Sequence, residues 1–154
     1  FDLNYRSMLW SPEDARAAWD EILPHVNVLI TTEPDAALLL ERELARETAV
    51  RTLFARYDPD AVVMTCGGDG NIAYDGDHVL TTPTWHPENI HRIGAGDAFD
   101  AGLLYGLVEA DLEAGLAYGN AMAALKFTIP LNLPLIDRAD VDALLEGRNL
   151  RLVR

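Results

Sequence analysis

Ala61-Val62-Val63-Met64-Thr65-Cys66-Gly67-Gly68-Asp69-Gly70 runs from a short apolar stretch of strand length straight into a glycine-rich turn. A strand that is apolar at consecutive positions, with no in-and-out alternation, has both faces covered, and that is the habit of parallel sheets. Upstream, Val26 to Ile30 is a second such run. Between the two, Thr32-Glu33-Pro34-Asp35 carries helix-start chemistry, and Ala36 to Leu40 and Glu41 to Arg56 read as one or two helices. Downstream, Asp75-Gly76-Asp77 is a hairpin signal between Ile72-Ala73-Tyr74 and Val79-Leu80, so an antiparallel pair is expected at one edge. The alternation of strands and helices predicts an α/β fold: a doubly wound, mostly parallel sheet with an antiparallel edge.

The outer segments extend the pattern. Phe1-Asp2-Leu3-Asn4-Tyr5 alternates apolar and polar like a strand already under way, and there is no initiator Met. A helix is predicted after Trp10, with Ser11 as N-cap, Pro12 in the first turn, Glu13 and Asp14 at the positive end of the dipole, and Pro24 as its end. Pro83, Pro87 and the stretch from His86 to His91 form a loop. Helices are then predicted over about 96–109, 111–127 and 137–146, the last capped by Asp137.

At 154 residues the chain is about one domain, and its net charge is −13. Such acidity argues against non-specific nucleic-acid binding, which lives on basic surfaces. It leaves room for an anionic small ligand, since backbone N–H groups and a helix terminus hold phosphate whatever the global charge. No apolar run approaches the roughly 18 residues of a membrane span. Cys66, the single cysteine, rules out an internal disulfide and fits a reducing cytoplasm.

Chemistry concentrates in Arg92-Ile93-Gly94-Ala95-Gly96-Asp97-Ala98-Phe99. Two glycines before an amphipathic helix let a ligand approach the backbone closely and meet free N–H groups. A helix N-terminus favours negative charge, as on a phosphoryl group in transfer, and Asp97 there can accept a proton from a hydroxyl. Taken alone, the same residues also suit an Asp that caps a helix after a glycine turn. A dinucleotide fingerprint fits poorly, because no strand runs into these glycines and a third glycine is missing. The Gly-Lys-Ser/Thr of a P-loop is absent, and Lys126 is the only lysine.

Gly94-Ala95-Gly96-Asp97-Ala98-Phe99-x-Ala101-Gly102 resembles the signature of the ribokinase (PfkB) family of sugar kinases. Phe1-Asp2-Leu3-Asn4-Tyr5-Arg6-Ser7-x-Leu9-Trp10 is similar to a segment of the family's 2-keto-3-deoxygluconate kinases. Val62-Val63-x-x-x-Gly67-x-x-Gly70 resembles the strand and turn that lie against ATP, and Tyr118 to Lys126 resembles a late helix near the adenine pocket. The resemblance implies a ribokinase-like fold and ATP-dependent phosphorylation of a sugar or sugar acid, 2-keto-3-deoxygluconate to its 6-phosphate above others. It implies Asp97 as catalytic base in contact with substrate, and an anion hole from the N–H groups of Gly94, Ala95, Gly96 and Asp97. It places Asn4, Thr65, Gly67, Gly70, Gly94, Gly96 and Asn120 with the nucleotide. Arg6, a planar always-charged fork, suits the carboxylate of a sugar acid.

Three positions depart from the family pattern. His91 stands where an Asp often shapes a monovalent-cation site. Thr32 and Asp35 stand where an Asn and a Glu are linked to magnesium; Asp35 keeps the carboxylate and is the candidate for Mg²⁺. His25, His78 and His86 lack metal-ligand spacing, and Trp10, Trp19 and Trp85 read as packing residues. The resemblance further implies that residues 1–154 are the C-terminal, nucleotide-binding portion of a larger kinase domain without its N-terminal half and lid. The expected partners are ATP and a small sugar acid, with no nucleic acid and no membrane. The expected location is cytoplasmic, and a full-length relative is expected to form a homo-oligomer. The alternatives are another sugar kinase of the family, such as a fructokinase, for whose neutral substrate Arg6 has no use, or a non-catalytic remnant.

Overall fold

The computed structural model describes residues 1–85, 91–130 and 135–147. It divides into two compact units, 1–81 and 82–154.

In the first unit, strands β1 (Val28–Thr32) and β2 (Ala61–Thr65) pair in parallel, Val28 opposite Ala61 through Thr32 opposite Thr65. Val62, Val63 and Met64 are buried in succession, so both faces of β2 are covered, as its unbroken apolar run requires. Phe1 to Leu3 lies along the other side of β1. Asp2 and Ile30 form a parallel bridge, Ile30 N–H donates to Phe1 O at 2.8 Å, and Leu3 N–H donates to Ile30 O at 3.1 Å. After β2 the chain makes a 3₁₀ turn, Gly67–Asp69, and returns as β3 (Asn71–Tyr74), antiparallel to β2. β4 (Val79–Thr82) lies beside β3 at the edge. The sheet is mixed, with the expected parallel strands and the expected antiparallel edge.

Helix α1 (Pro12–Ile22) begins where its cap dictates: Ser11 Oγ accepts from Asp14 N–H at 3.1 Å. Its α-helical part stops at Ile22, and Leu23–His25, with Pro24 inside, continues as one 3₁₀ turn. Trp19 is fully buried and meets Tyr5 and Trp10 edge-on, at 6.1 and 6.2 Å between ring centroids, which pins the 5–10 segment to α1. β1 starts two residues later than expected because Val26 and Asn27 are spent on the turn. Val26 N–H bonds to Leu23 O, while Asn27 O accepts from the N–H of both Asp60 and Ala61. Two helices, α2 (Glu33–Leu40) and α3 (Arg46–Tyr57), connect β1 to β2. They separate at Glu41, which takes the left-handed conformation at φ 56°.

The second unit is helical: α4 (Ala95–Glu109), α5 (Leu112–Phe127) and α6 (Arg138–Leu145). Asp111 caps α5, and Asp137 with Asp140 forms a reciprocal capping box on α6. The three helices fall within a residue or so of their expected bounds. α4 and α5 meet nearly backbone to backbone. A methyl built on Gly102 would stand 2.5 Å from Tyr118 O, and one on Gly106 would stand 2.6 Å from the carbonyl group of Ala114. Among the described residues no helix is long and apolar enough to cross a membrane. Residues 86–90 of the expected 86–91 loop lie outside the described residues.

Gly102→Ala is therefore expected to destabilise the protein. Alanine gains roughly 1 kcal/mol of helix propensity, but the blocking atoms are backbone, and overpacking of this kind costs about 1–3 kcal/mol or more. Urea denaturation checks it; an unchanged or higher midpoint would show that the two helices can separate without cost.

Candidate active site

In the second unit the candidate chemistry sits at the start of α4. Gly94 takes the left-handed conformation at φ 80°, which a residue with a side chain adopts only at a cost, and so turns the chain into the helix. Among the described residues no side chain caps the helix. Ala95 N–H is engaged by Arg92 O at 3.2 Å and Ala98 N–H by Gly94 O at 3.0 Å. Among the described residues no acceptor takes the N–H of Gly94, Gly96 or Asp97. Of the four N–H groups expected in the anion hole, that of Ala95 is thus committed inside the turn.

Gly96 is exposed, and a methyl built on it would meet nothing within 4 Å among the described residues. Protein packing does not demand a glycine here, in contrast to Gly102. Asp97, also exposed, is in the same first turn. The segment leading in is fixed by His91 N–H, which donates to Phe127 O at 2.8 Å at the end of α5.

Asn120 and Lys126 stand apart from that surface. Asn120 is 3% exposed, and its amide nitrogen donates to Thr82 Oγ1 at 2.9 Å and Pro83 O at 3.2 Å. It braces residues 82–83, so any service to a nucleotide would pass through that backbone. Lys126 is 1% exposed, with its ammonium on Ile129 O at 3.0 Å.

In the first unit the candidate residues gather at the carboxyl ends of the parallel strands, where open α/β sheets bind their ligands. Asn4 follows the Leu3 position with φ 42° and is exposed, as is Arg6. Thr65 closes β2 and donates to Thr31 O at 3.4 Å. Gly67 (φ 58°) and Gly70 (φ 92°) bracket the turn, and Cys66 N–H donates to Gly70 O at 2.8 Å. The Cys66 thiol is pushed up to about 11, chiefly by burial and then by the nearby Glu33 carboxylate, and is therefore an inert thiol rather than a nucleophile.

Asp35 has other commitments than a metal. Its N–H donates to Thr32 Oγ1 at 3.2 Å, and its carboxylate is held by the Thr32 hydroxyl and the backbone N–H of Tyr5, with Arg6 nearby. It therefore ties the Asn4–Arg6 segment to the start of α2. Burial raises its pKa above the ordinary 3.8, outweighing those three interactions, which lower it. Among the described residues no three His, Cys, Asp or Glu side chains converge as a metal site.

The description pfkB family carbohydrate kinase matches residues 1–130, and the chain belongs to that family. It is 40% identical over 148 residues to a 2-dehydro-3-deoxygalactonokinase of Haloferax volcanii, covering 96% of this chain and 46% of that one. Its fold is similar to a 2-dehydro-3-deoxygluconokinase from Thermotoga maritima, with TM-score 0.83, 25% identity and coverage of 95% and 50%. A fructokinase from Vibrio cholerae, in a fructose, ADP and calcium ion bound form, matches with TM-score 0.82, 27% identity and coverage of 94% and 49%. The chain spans about half the length of the relatives it matches.

The raised pKa of Asp35 fixes the sign of a pH effect. The folded protein keeps this proton to higher pH than the unfolded chain, so ionisation opposes folding. Stability contributed here falls as pH rises from the ordinary 3.8 through the raised value, then levels off. Asp35→Asn, whose side-chain oxygen still accepts from Tyr5, should remove this slope. Denaturation of both proteins between about pH 3 and 7 reads it; a difference that does not change with pH would mean Asp35 ionises as in the unfolded chain.

Proposed function

We propose that this chain carries the phosphoryl-transfer residues of an ATP-dependent kinase acting on a 2-dehydro-3-deoxy sugar acid, the compound class also written 2-keto-3-deoxy, with 2-keto-3-deoxygluconate the preferred candidate. The observation that carries this is the start of α4: an open space over Gly96, unengaged N–H groups of Gly94, Gly96 and Asp97, and an exposed carboxylate in the same helical turn. Family membership and the names of the Haloferax and Thermotoga relatives support it.

The roles follow from charge. Asp97 takes the proton of the acceptor hydroxyl as that oxygen bonds to the γ-phosphorus and the bond to the departing ADP oxygen breaks. The free N–H groups and the helix dipole stabilise the negative charge of the phosphoryl group in flight. Asn4, Thr65, Gly67 and Gly70, at the strand ends of the first unit, serve the nucleotide. Mg²⁺ fits as an ion carried by the nucleotide phosphates and water, a mode that needs few protein carboxylates; bound there, it would neutralise phosphate charge. Asp35, engaged by Thr32 and Tyr5, would contribute at most through water. Arg6, exposed beyond Asn4, takes the carboxylate of the sugar acid.

The second reading is a kinase of a neutral sugar, favoured by the likeness to the Vibrio fructokinase. Arg6 separates the two. Arg6→Ala is expected to raise KM for the sugar acid about tenfold or more and leave KM for ATP nearly unchanged. An equal effect on both, or faster turnover of fructose than of the acid by the unaltered enzyme, would favour the neutral sugar. Asp97→Asn should lower kcat by about 10²–10⁴ with little change in KM for ATP. Near-normal turnover by that variant would remove Asp97 from the mechanism.

A further inference from the structure

Arg46 is the first residue of α3, and its side chain leaves its own helix. Nε donates to Glu33 Oε1 at 2.6 Å and Nη2 to Glu33 Oε2 at 3.0 Å, a two-pronged grip on the first residue of α2. The same Nη2 donates to Asp69 Oδ2 at 2.6 Å, on the last residue of the 3₁₀ turn Gly67–Asp69. One cation thus joins three elements whose residues lie 13 and 23 positions away in sequence. Two nitrogens on one carboxylate and a second carboxylate on the same guanidinium set it apart from Arg51–Glu47, which stays within α3, and from Arg56–Asp20, which reaches α1 through a single nitrogen.

Asp69 stands between Gly67 and Gly70, on the turn assigned above to the nucleotide. A lone carboxylate there would repel a polyphosphate. Paired with Arg46, a cation it shares with Glu33, it repels less, and the turn is held to the start of α2 as well. We propose that Arg46 is a positioning residue for nucleotide binding: it offsets part of the charge of Asp69 and fixes the Gly67–Gly70 turn so that the turn can accept phosphates. The inference rests on the reading that this turn faces ATP.

The test measures dissociation constants of the β,γ-imido analogue of ATP and of adenosine, which lacks phosphates, for the unaltered protein and for Arg46→Gln, Asp69→Asn and the double variant. Arg46→Gln is expected to weaken the analogue about threefold to tenfold while changing adenosine less than about twofold. Asp69→Asn should bind the analogue at least as tightly as the unaltered protein, and this holds as a test even if Arg46→Gln fails to fold. The double variant should recover most of the loss, since the repelling charge is gone. Equal loss on both ligands, no loss on either, or no recovery in the double variant would make Arg46 a fold tether only. An unaltered protein that binds neither ligand would overturn the proposed function itself, and this inference with it.

Discussion

Parallel pairing of β1 with β2 is the constraint from which the first unit follows. Two parallel neighbours cannot be joined by a tight turn, so the chain must cross back, and α2 and α3 are that crossing. The pairing also brings the carboxyl ends of the parallel strands to one edge: Leu3 beside β1, and Thr32 opposite Thr65. Residues far apart in sequence therefore emerge together. Asp35 reaches the backbone of Tyr5, and Arg46 reaches Asp69. A ligand-facing edge is a by-product of strand direction before it is a feature of any side chain.

The second unit reaches a comparable result by different means. Gly94 supplies the left-handed turn, and the helix that follows presents its uncapped end. What holds that end in place is packing: Phe99, Leu103 and Leu116 are buried, and glycines on α4 and α5 allow contact at backbone range. Glycine has two separate meanings within one helix. At Gly96 the missing side chain leaves space open to solvent, and at Gly102 it leaves space for Tyr118 O.

Local signals were the legible ones. Ser11, Thr32 and Asp137 cap helices where the sequence announces them, because a cap is a contact over three residues, and Asp111 caps the helix expected to begin there. The sheet's direction was legible from unbroken apolar runs. The separation of α2 from α3 is not legible, since Glu41 reverses the chain without the glycine or proline that announces such a break. Within the site, the glycine turn and Asp97 were readable as a short motif with help from family resemblance. The occupation of Ala95 N–H was not, because it depends on the exact turn geometry. Resemblance alone points Asp35 to a metal, and its contacts to Thr32 and Tyr5 are not written in the sequence, because they arise only once strands are paired. Arg46 left no mark in sequence at all: its partners lie well beyond the reach of a helical turn.

The near contact of α4 with α5 bears on how this protein moves. Side chains between helices act as soft spacers, and small rotamer changes let such helices slide. Where carbonyl groups and Cα atoms face each other directly, that cushion is missing. α4 and α5 then behave as one plate, and a fluctuation that shifts Asp97 must carry both helices or break their seam. Amide hydrogens along the facing stretches would exchange with solvent together, as one cooperative unit, and later than those of α6.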